Sequence, residues 1–161
     1  MTIWFDMDGT LADLYGVPDW LAYLRAENPA PYRYARPLLR MQSLARVLNR
    51  LHRAGYEIGI ISWLSKVSTP DYDRAVTEAK RAWLAQHLKS VQFNFIDIVP
   101  YGTPKSDGRD GILFDDEARN RADWKGLAFD EIDILSVLRS LSRTLLQHIG
   151  RQRNCRCRGS K

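Results

Sequence analysis

The sequence predicts an α/β fold, a Rossmann-like three-layer sandwich with a mostly parallel sheet. The first observation is that short apolar segments typical of strands alternate with amphipathic helical segments along most of the chain. This order places helices on the faces of a parallel sheet. The second observation is size and composition, because 161 residues with 45% hydrophobic and 27% charged side chains suffice for one domain with a substantial core.

The first half of the chain is predicted to form a strand, a helix and a second strand. Residues 2–5 (TIWF) and 56–62 (YEIGIIS) are short apolar runs, as in buried strands. Residues 43–55 carry apolar side chains at helical spacing, and Gly55 is a typical C-terminal helix stop. The apolar positions of this helix are Leu44, Val47, Leu48 and Leu51.

A long helix and a third strand follow. Residues 69–88 are predicted as a helix with Asp71 as its N-cap. We expect the inward side of this helix to consist of Ala75, Ala79, Ala82, Trp83 and Leu88. Residues 91–99 are predicted as a strand. Its expected buried side chains are Phe93, Phe95 and either Ile98 or Val99.

The last elements are short strands and a closing helix. Residues 111–116 (GILFDD) and 126–130 (GLAFD) are strand candidates, and residues 132–149 form the predicted helix. The predicted core therefore covers residues 1–142, with a small cap-like insert at about 14–40. We expect this insert to lie over the C-terminal edge of the sheet, where open α/β sheets bind ligands.

The insert is rich in proline and aromatic residues. Its aromatic side chains near the sheet edge suit stacking on a nucleobase. The alternative is a packing role, in which Trp20 and Leu24, four residues apart, fasten a small helix to the body. The aromatic residues are Trp20, Tyr23, Tyr32 and Tyr34, and the prolines are Pro18, Pro29, Pro31 and Pro37.

Positive charge is concentrated at the C-terminus. Residues 143–161 contain six basic residues and no acid, while residues 1–142 have 18 basic and 19 acidic residues, a net charge of −1. We predict a flexible, solvated tail, or a tail that binds nucleic acid through phosphate neutralisation. Cys155 and Cys157 in this tail lack the further ligands of a zinc site, so we expect a reduced pair.

Membrane insertion and secretion are not expected. The sequence has no uncharged apolar run of about 18 residues, the length needed to span a bilayer. The first residues show no basic flank followed by a long apolar run, as a secretory signal would. We therefore expect a cytoplasmic protein with no membrane partner.

Polar side chains follow four of the predicted strands. Because the carboxyl ends of parallel strands share one edge of the sheet, these side chains are expected to converge there. Two carboxylates as close as Asp6 and Asp8 repel each other unless a cation or a proton compensates them. We therefore predict a magnesium site at this edge. The polar side chains expected at this edge of the sheet are Asp6, Asp8, Ser62, Lys105, Asp115 and Asp116.

This arrangement resembles the haloacid dehalogenase superfamily of phosphohydrolases. The family pattern is an apolar strand followed by D-x-D-G-T/V, a strand ending in Ser or Thr, a downstream Lys, and a strand ending in D-D. The matching segments are WFDMDGT, IGIIS, Lys105 and ILFDD, in order and over about residues 2–130. The resemblance implies a Mg²⁺-dependent phosphatase that acts through an aspartyl-phosphate.

A narrower resemblance is to the 5′(3′)-deoxyribonucleotidases. The segments DMDGTLAD, KRAWLAQHL and GILFDD are similar to their motifs. The sequence departs from that pattern at Thr10, where Val is common, and in the shorter insert after the first motif. The resemblance implies a small phosphorylated substrate, with a nucleotide favoured.

Family roles carry over to four catalytic residues. Asp6 is expected to be the nucleophile, and Asp8 the acid and base, with its backbone carbonyl facing the metal. Ser62 is expected to hydrogen-bond a phosphate oxygen, and Lys105 to supply positive charge to the phosphate and to Asp6. Other readings are that the acids cap a strand end, that Ser62 is an ordinary turn serine, or that Lys105 is a solvated lysine. Lys66 and Lys80 compete for its role.

The remaining roles concern metal and substrate. Asp115 is the expected Mg²⁺ ligand, completing the set of Asp6 and Asp8, with Asp116 as a further ligand or an anchor for one. The alternative is that Asp116, Glu117 and Asn120 cap the helix that follows. Trp63, directly after Ser62, is the candidate wall for the substrate. His52, His87 and His148 receive no role.

Three functions are consistent with the sequence. The first is hydrolysis of small phosphomonoesters, with nucleotides favoured. The second keeps the chemistry but acts on a phosphate at a nucleic-acid end, which the basic tail would hold. The third is a binding module without catalysis, which predicts no Mg²⁺-dependent turnover of p-nitrophenyl phosphate.

Overall fold

The computed structural model describes the backbone of residues 1–156 and the side chains of residues 1–145 and 147. Its strands and helices alternate as the sequence predicts. The strands are β1 (Thr2–Phe5), β2 (Ala12–Asp13), β3 (Arg36–Pro37), β4 (Glu57–Trp63), β5 (Phe95–Val99), β6 (Ile112–Phe114) and β7 (Leu127–Phe129). The helices are α1 (Trp20–Arg25), α2 (Ala30–Tyr34), α3 (Met41–Arg53), α4 (Pro70–His87), α5 (Ala118–Asp123) and α6 (Ile134–Arg156).

The central sheet has five strands in the order β5-β4-β1-β6-β7. All neighbouring strands of this sheet are parallel, so β1 lies in the middle between β4 and β6. The α/β fold with a parallel central sheet is confirmed. This order also places the ends of β1, β4 and β6 next to one another at the carboxyl edge.

The sheet is covered on both faces, which gives three layers. Ile3 and Phe5 of β1 point to the main core, which they share with buried side chains of α3, α4 and α6. Trp4 points to the opposite face and packs with Leu113 and Trp124, the residue after α5. This alternation follows from the two-residue period of a strand.

The long helix α4 differs from the prediction at its start and on its inner side. The N-cap is Thr69, whose Oγ1 accepts a hydrogen bond from the backbone N–H of Tyr72, so Asp71 as N-cap is wrong. Threonine is a common N-cap because its hydroxyl can accept such a bond, and Pro70 occupies the first helical position, where proline is favoured. Ala79 and Trp83 are buried as expected, but Ala82 is exposed. The buried stripe includes Lys80 instead.

The edge strand β5 is shorter and more exposed than predicted. It begins at Phe95, and the preceding residues of the predicted 91–99 segment lie in a loop. The prediction that Phe95 is buried is wrong, because 40% of this residue is exposed at the sheet edge. Its ring stacks on Trp4 with 5.4 Å between ring centroids.

A small unit lies between β1 and α3. Strands β2 and β3 pair in antiparallel fashion, and α1 and α2 lie between them in the chain. Tyr32 of α2 is buried against Tyr72 and Val76 of α4, with Leu24 packed on the same cluster. Trp20 contacts Tyr15 edge-on, at 5.2 Å between ring centroids. The small unit is therefore held to the body by both aromatic and aliphatic contacts.

The closing helix α6 extends further than predicted. It includes residues 143–156, the first part of the segment that we expected to be a flexible tail. The side chain of Cys155 and residues 157–161 lie outside what the structure describes, and the flexibility of the tail stays a prediction. Among residues 1–156, none of the helices is both long and apolar enough to cross a membrane.

Candidate active site

The loop after β1 carries the first two carboxylates. The Asp6 backbone N–H donates to the carbonyl of Phe114 at 2.9 Å, which continues the pairing of β1 with β6. The chain then turns back, and the N–H groups of Leu11 and Ala12 donate to the carbonyl of Met7. Gly9 has a φ of +81°, and a Cβ there would overlap the Asp116 carboxylate. Glycine is therefore required by both the turn and the neighbouring acid.

Three carboxylates come together at the ends of β1 and β6. Asp6, Asp115 and Asp116 each offer an oxygen such that the three atoms lie within 4.8 Å of one another. Asp115 is completely buried and Asp6 almost so. Oxygen atoms this close suit a hard divalent cation such as Mg²⁺.

Lys105 lies among these acids. Its Nζ is 3.0 Å from Asp6 Oδ1 and 2.7 Å from Asp115 Oδ2. Burial alone would lower the pKa of Lys105, but the charges of Asp6 and Asp115 outweigh burial and raise it. The same Nζ lies 4.8 Å from the centroid of the Trp63 ring. Lys105 is therefore a fixed positive charge beside the proposed nucleophile.

Asp115 is held by groups from α5. The Asn120 side-chain amide donates to both of its carboxylate oxygens, at 3.1 and 3.2 Å, and the Glu117 backbone N–H donates to Oδ1 at 2.9 Å. Burial and the charge of Asp6 raise the pKa of Asp115, while Lys105 opposes that rise. The start of α5 has no side-chain cap at Glu117, so the side chain of Asn120 serves the acid cluster rather than the helix end.

Asp116 is bound to the loop after β1. The Thr10 hydroxyl donates to Asp116 Oδ1 at 3.0 Å and accepts from the Asp116 backbone N–H at 3.1 Å. Burial, with a smaller effect of the Asp6 charge, raises the pKa of Asp116 to about 7. An uncompensated negative charge of this kind favours a bound proton or cation.

A second cluster centres on Lys80, which is fully buried. Its Nζ donates to Asp8 Oδ2 at 2.6 Å, to Ser62 Oγ at 2.8 Å and to the Trp63 carbonyl at 2.6 Å. The pKa of Asp8 is raised, mainly by burial and also by Asp6, and Lys80 opposes this rise. The Asp8 carboxylate thus pairs with Lys80 and stands apart from the three acids that could share an ion.

Ser62 lies at the end of β4, as predicted, but it is fully buried. It accepts a hydrogen bond from Lys80 and does not line the cavity beside the acids. Its expected contact with a phosphate oxygen therefore stays a prediction. The Asp8 backbone carbonyl as a metal ligand stays a prediction as well.

A cavity of about 260 Å³ adjoins the carboxylates. Asp6 and Asp8 line it on one side, and residues of the small unit and of the loops after β4 and β5 line the others. Trp63 is fixed there by a 2.8 Å hydrogen bond from Nε1 to the Thr103 carbonyl and by a ring contact with Tyr101 at 5.1 Å. The aromatic lining consists of Tyr15, Trp20, Tyr32, Trp63 and Tyr101.

The structure brings together most of the residues singled out in the sequence. Lys105 rather than Lys66 or Lys80 contacts Asp6, as expected, but Lys80 takes a separate place beside Asp8. Lys80 could have been recognised as a lysine within the apolar stripe of α4, three residues before Trp83. No comparable sequence pattern indicates the contacts of Thr10 and Asn120, because these contacts depend on how distant segments of the chain meet.

Comparisons with known proteins give a limited likeness. No family model matches the chain, and no curated protein matches it. Among solved structures, it is similar to the D,D-heptose 1,7-bisphosphate phosphatase from Burkholderia thailandensis. That match covers 76% of this chain and 70% of the other, with a TM-score of 0.46 and 17% sequence identity.

Proposed function

We propose that this protein is a Mg²⁺-dependent phosphomonoester hydrolase of the haloacid dehalogenase type, which acts through an aspartyl-phosphate on Asp6. The observation that carries the proposal is the cluster of Asp6, Asp115 and Asp116, with Lys105 bound to two of them. The Asp8 carboxylate on the neighbouring wall of the cavity supplies the second group that this chemistry needs.

The donor set fits a divalent cation. Three carboxylates face one ammonium group within the cluster, which leaves an excess of negative charge that a single Mg²⁺ would neutralise. Asp6, Asp115 and Asp116 would hold the ion, and the pKa of Asp116 is raised mainly by burial and also by the charge of Asp6. When bound, Mg²⁺ would offset the charge of the substrate phosphate and so reduce its repulsion of Asp6.

In the first step, a carboxylate oxygen of Asp6 attacks phosphorus. The bond between phosphorus and the alcohol oxygen breaks, and Asp8 donates a proton to the departing alkoxide. Burial favours this proton on Asp8 because it raises the pKa of the carboxyl group. Lys105 stabilises negative charge at Asp6 and at the phosphate throughout.

In the second step, Asp8 takes a proton from a water molecule as that water attacks phosphorus. The bond between Asp6 and phosphorus breaks, and inorganic phosphate and the free carboxylate are released. Lys80 holds Asp8 Oδ2, so the other oxygen of Asp8 is the one left for these proton transfers.

The cavity supports a compact substrate with a flat group, and a nucleoside monophosphate suits it. About 260 Å³ lies just below the usual range of roughly 300–1,000 Å³ for small-molecule sites. Five aromatic rings surround this space, and aromatic rings stack on nucleobases. Tyr15, Trp20 and Tyr32 of this lining belong to the predicted cap-like insert.

The test is phosphate release from p-nitrophenyl phosphate and from a panel of nucleoside monophosphates and sugar phosphates. We expect turnover with Mg²⁺, loss of turnover with EDTA, and no turnover in a folded Asp6→Asn variant. A matched control is Asp123→Asn, an exposed acid at the end of α5. Equal turnover by Asp6→Asn and the control would remove Asp6 as nucleophile, and absence of turnover by the wild type would favour the binding module.

A further inference from the structure

A groove between α3 and α6 is lined by arginine side chains. The two helices pack against each other, and the groove between them has a volume of about 590 Å³. Its lining residues include no acid. The charged lining consists of Arg46 and Arg50 from α3 and Arg139 and Arg143 from α6, with the hydroxyl groups of Ser43 and Ser136 beside them.

These arginines are not neutralised within the part of the chain whose side chains are described. None of the four forms a salt bridge there. Arg46 donates to the Gln42 carbonyl and to Ser43 Oγ, and Arg50 donates to Ser142 Oγ at 3.2 Å, so these bonds go to neutral oxygen atoms. Like charges gathered in one groove favour a ligand that carries several negative charges.

The excess of positive charge in the chain is concentrated in α3, α6 and the residues that follow α6 in the sequence. Helices α3 and α6 together contain eight arginines and no Asp or Glu. Residues 134–161 have seven basic residues and no acid, whereas residues 1–133 have 17 basic and 19 acidic residues, a net charge of −2. The excess of positive charge in the sequence therefore lies in α3 and in residues 134–161.

We propose that this groove binds the phosphate backbone of a single-stranded nucleic acid. Each helix presents two arginines four residues apart, a rise of about 6 Å along the helix, so two rows of guanidinium groups face successive phosphates. Arginine suits phosphate because its planar group donates two parallel hydrogen bonds. Helices packed side by side have axes about 8–10 Å apart, so the two rows of arginines flank a single groove.

The shape and composition of the groove argue against a membrane surface. A helix that lies in a membrane surface buries an apolar face in the lipid. Among the described residues, the large exposed hydrophobic side chains lie elsewhere and none of them lines this groove.

The groove also shares no lining residue with the cavity beside Asp6. Binding here is therefore independent of the proposed hydrolase activity.

The test is fluorescence anisotropy of a labelled 20-nucleotide single strand, as RNA and as DNA, with the full-length protein in EDTA at several salt concentrations. The test variant is Arg50→Gln with Arg139→Gln. The matched control is Arg74→Gln with Arg119→Gln, which removes the same charge from exposed positions on α4 and α5. Thermal unfolding checks that both variants remain folded.

We expect the groove variant to raise the Kd at least tenfold, and the control variant to change it less than twofold. The salt dependence of log K should fall by about 1.4 in slope, since each phosphate contact on a single strand contributes roughly 0.7. Equal weakening by both variants, no binding by the wild type at 0.15 M salt, or equal competition by polyglutamate would overturn the proposal. Binding to phosphatidylserine vesicles in place of the oligonucleotide would overturn it too.

Discussion

At the scale of single residues, the site is organised by two buried lysines that pair with different carboxylates. Lys105 bridges Asp6 and Asp115, and Lys80 holds Asp8. Each ammonium group compensates charge that burial would otherwise make costly. The two proposed reacting acids are therefore kept apart by separate partners, although only Met7 separates them in the sequence.

Removing Lys80 should destabilise the protein through Asp8. We expect Lys80→Met to lower the free energy of unfolding by about 3 kcal/mol, because the partner of a broken buried ion pair is left uncompensated. Adding Asp8→Asn to this variant should recover part of the loss, since the uncompensated charge is then absent. Urea unfolding of the single and double variants measures both effects.

Lys66→Met is the matched control, because Lys66 is exposed and should change the free energy of unfolding by less than about 0.5 kcal/mol. If the double variant is as unstable as the sum of the two single variants, Lys80 and Asp8 are not coupled in the way the structure indicates.

The raised pKa of Asp116 predicts how the stability of the metal-free protein depends on pH. Its pKa of about 7 in the folded chain exceeds the value of about 3.9 for an unfolded aspartate. The folded state therefore binds more protons between these two values, and the free energy of unfolding from this group falls as pH rises from about 4 to about 7. Mg²⁺ should offset the loss at the upper end, because its ligands must be deprotonated.

The measurement is the thermal midpoint at a series of pH values in EDTA and in Mg²⁺, for the wild type and for Asp116→Asn. We expect the Mg²⁺-induced shift to grow between pH 5 and pH 8 in the wild type. An identical pH dependence in Asp116→Asn would show that another group is responsible.

At the scale of elements, the loop between β1 and β2 positions the acids. It turns back at once, so that Thr10 meets Asp116 at the end of β6 and Gly9 packs against the same carboxylate. Helix α4 contributes Lys80, which binds Asp8, and α5 contributes Asn120, which binds Asp115. The parallel order β4-β1-β6 makes these contacts possible.

Gly9→Ala should weaken Mg²⁺ binding more than the equivalent change at Gly55. Gly9 and Gly55 both have positive φ, +81° and +93°, so alanine is strained at either position. A Cβ at Gly55 meets no atom within 4 Å, whereas at Gly9 it overlaps the Asp116 carboxylate. We therefore expect Gly9→Ala to weaken Mg²⁺ binding at least tenfold and Gly55→Ala to leave it unchanged, as measured by calorimetric titration.

Similar Mg²⁺ affinity in both glycine variants would contradict the close packing of Gly9 on Asp116. A circular dichroism spectrum of each variant confirms that the comparison is made between folded proteins.

At the scale of the whole molecule, periodicity was enough to predict the sheet. Strand-end residues predicted that Asp6, Asp115 and Asp116 meet at one edge, but the carboxylate of Asp8, expected in the same cluster, pairs with Lys80. Strand β1 and Asp6 were predictable because an apolar run that ends in acids is a local pattern. The position of Phe95 was not, because its exposure depends on β5 being the edge strand. The role of Lys80 depends on which helix face meets the loop after β1, and the groove between α3 and α6 depends on two segments about 90 residues apart.

The central claim is that Asp6, Asp115 and Asp116 share one divalent cation, and calorimetric titration with Mg²⁺ tests it most directly. We predict one Mg²⁺ per chain in the wild type, at least tenfold weaker binding in Asp115→Asn, and unchanged binding in the exposed control Asp123→Asn. Equal Mg²⁺ affinity in Asp115→Asn and the wild type would contradict the account.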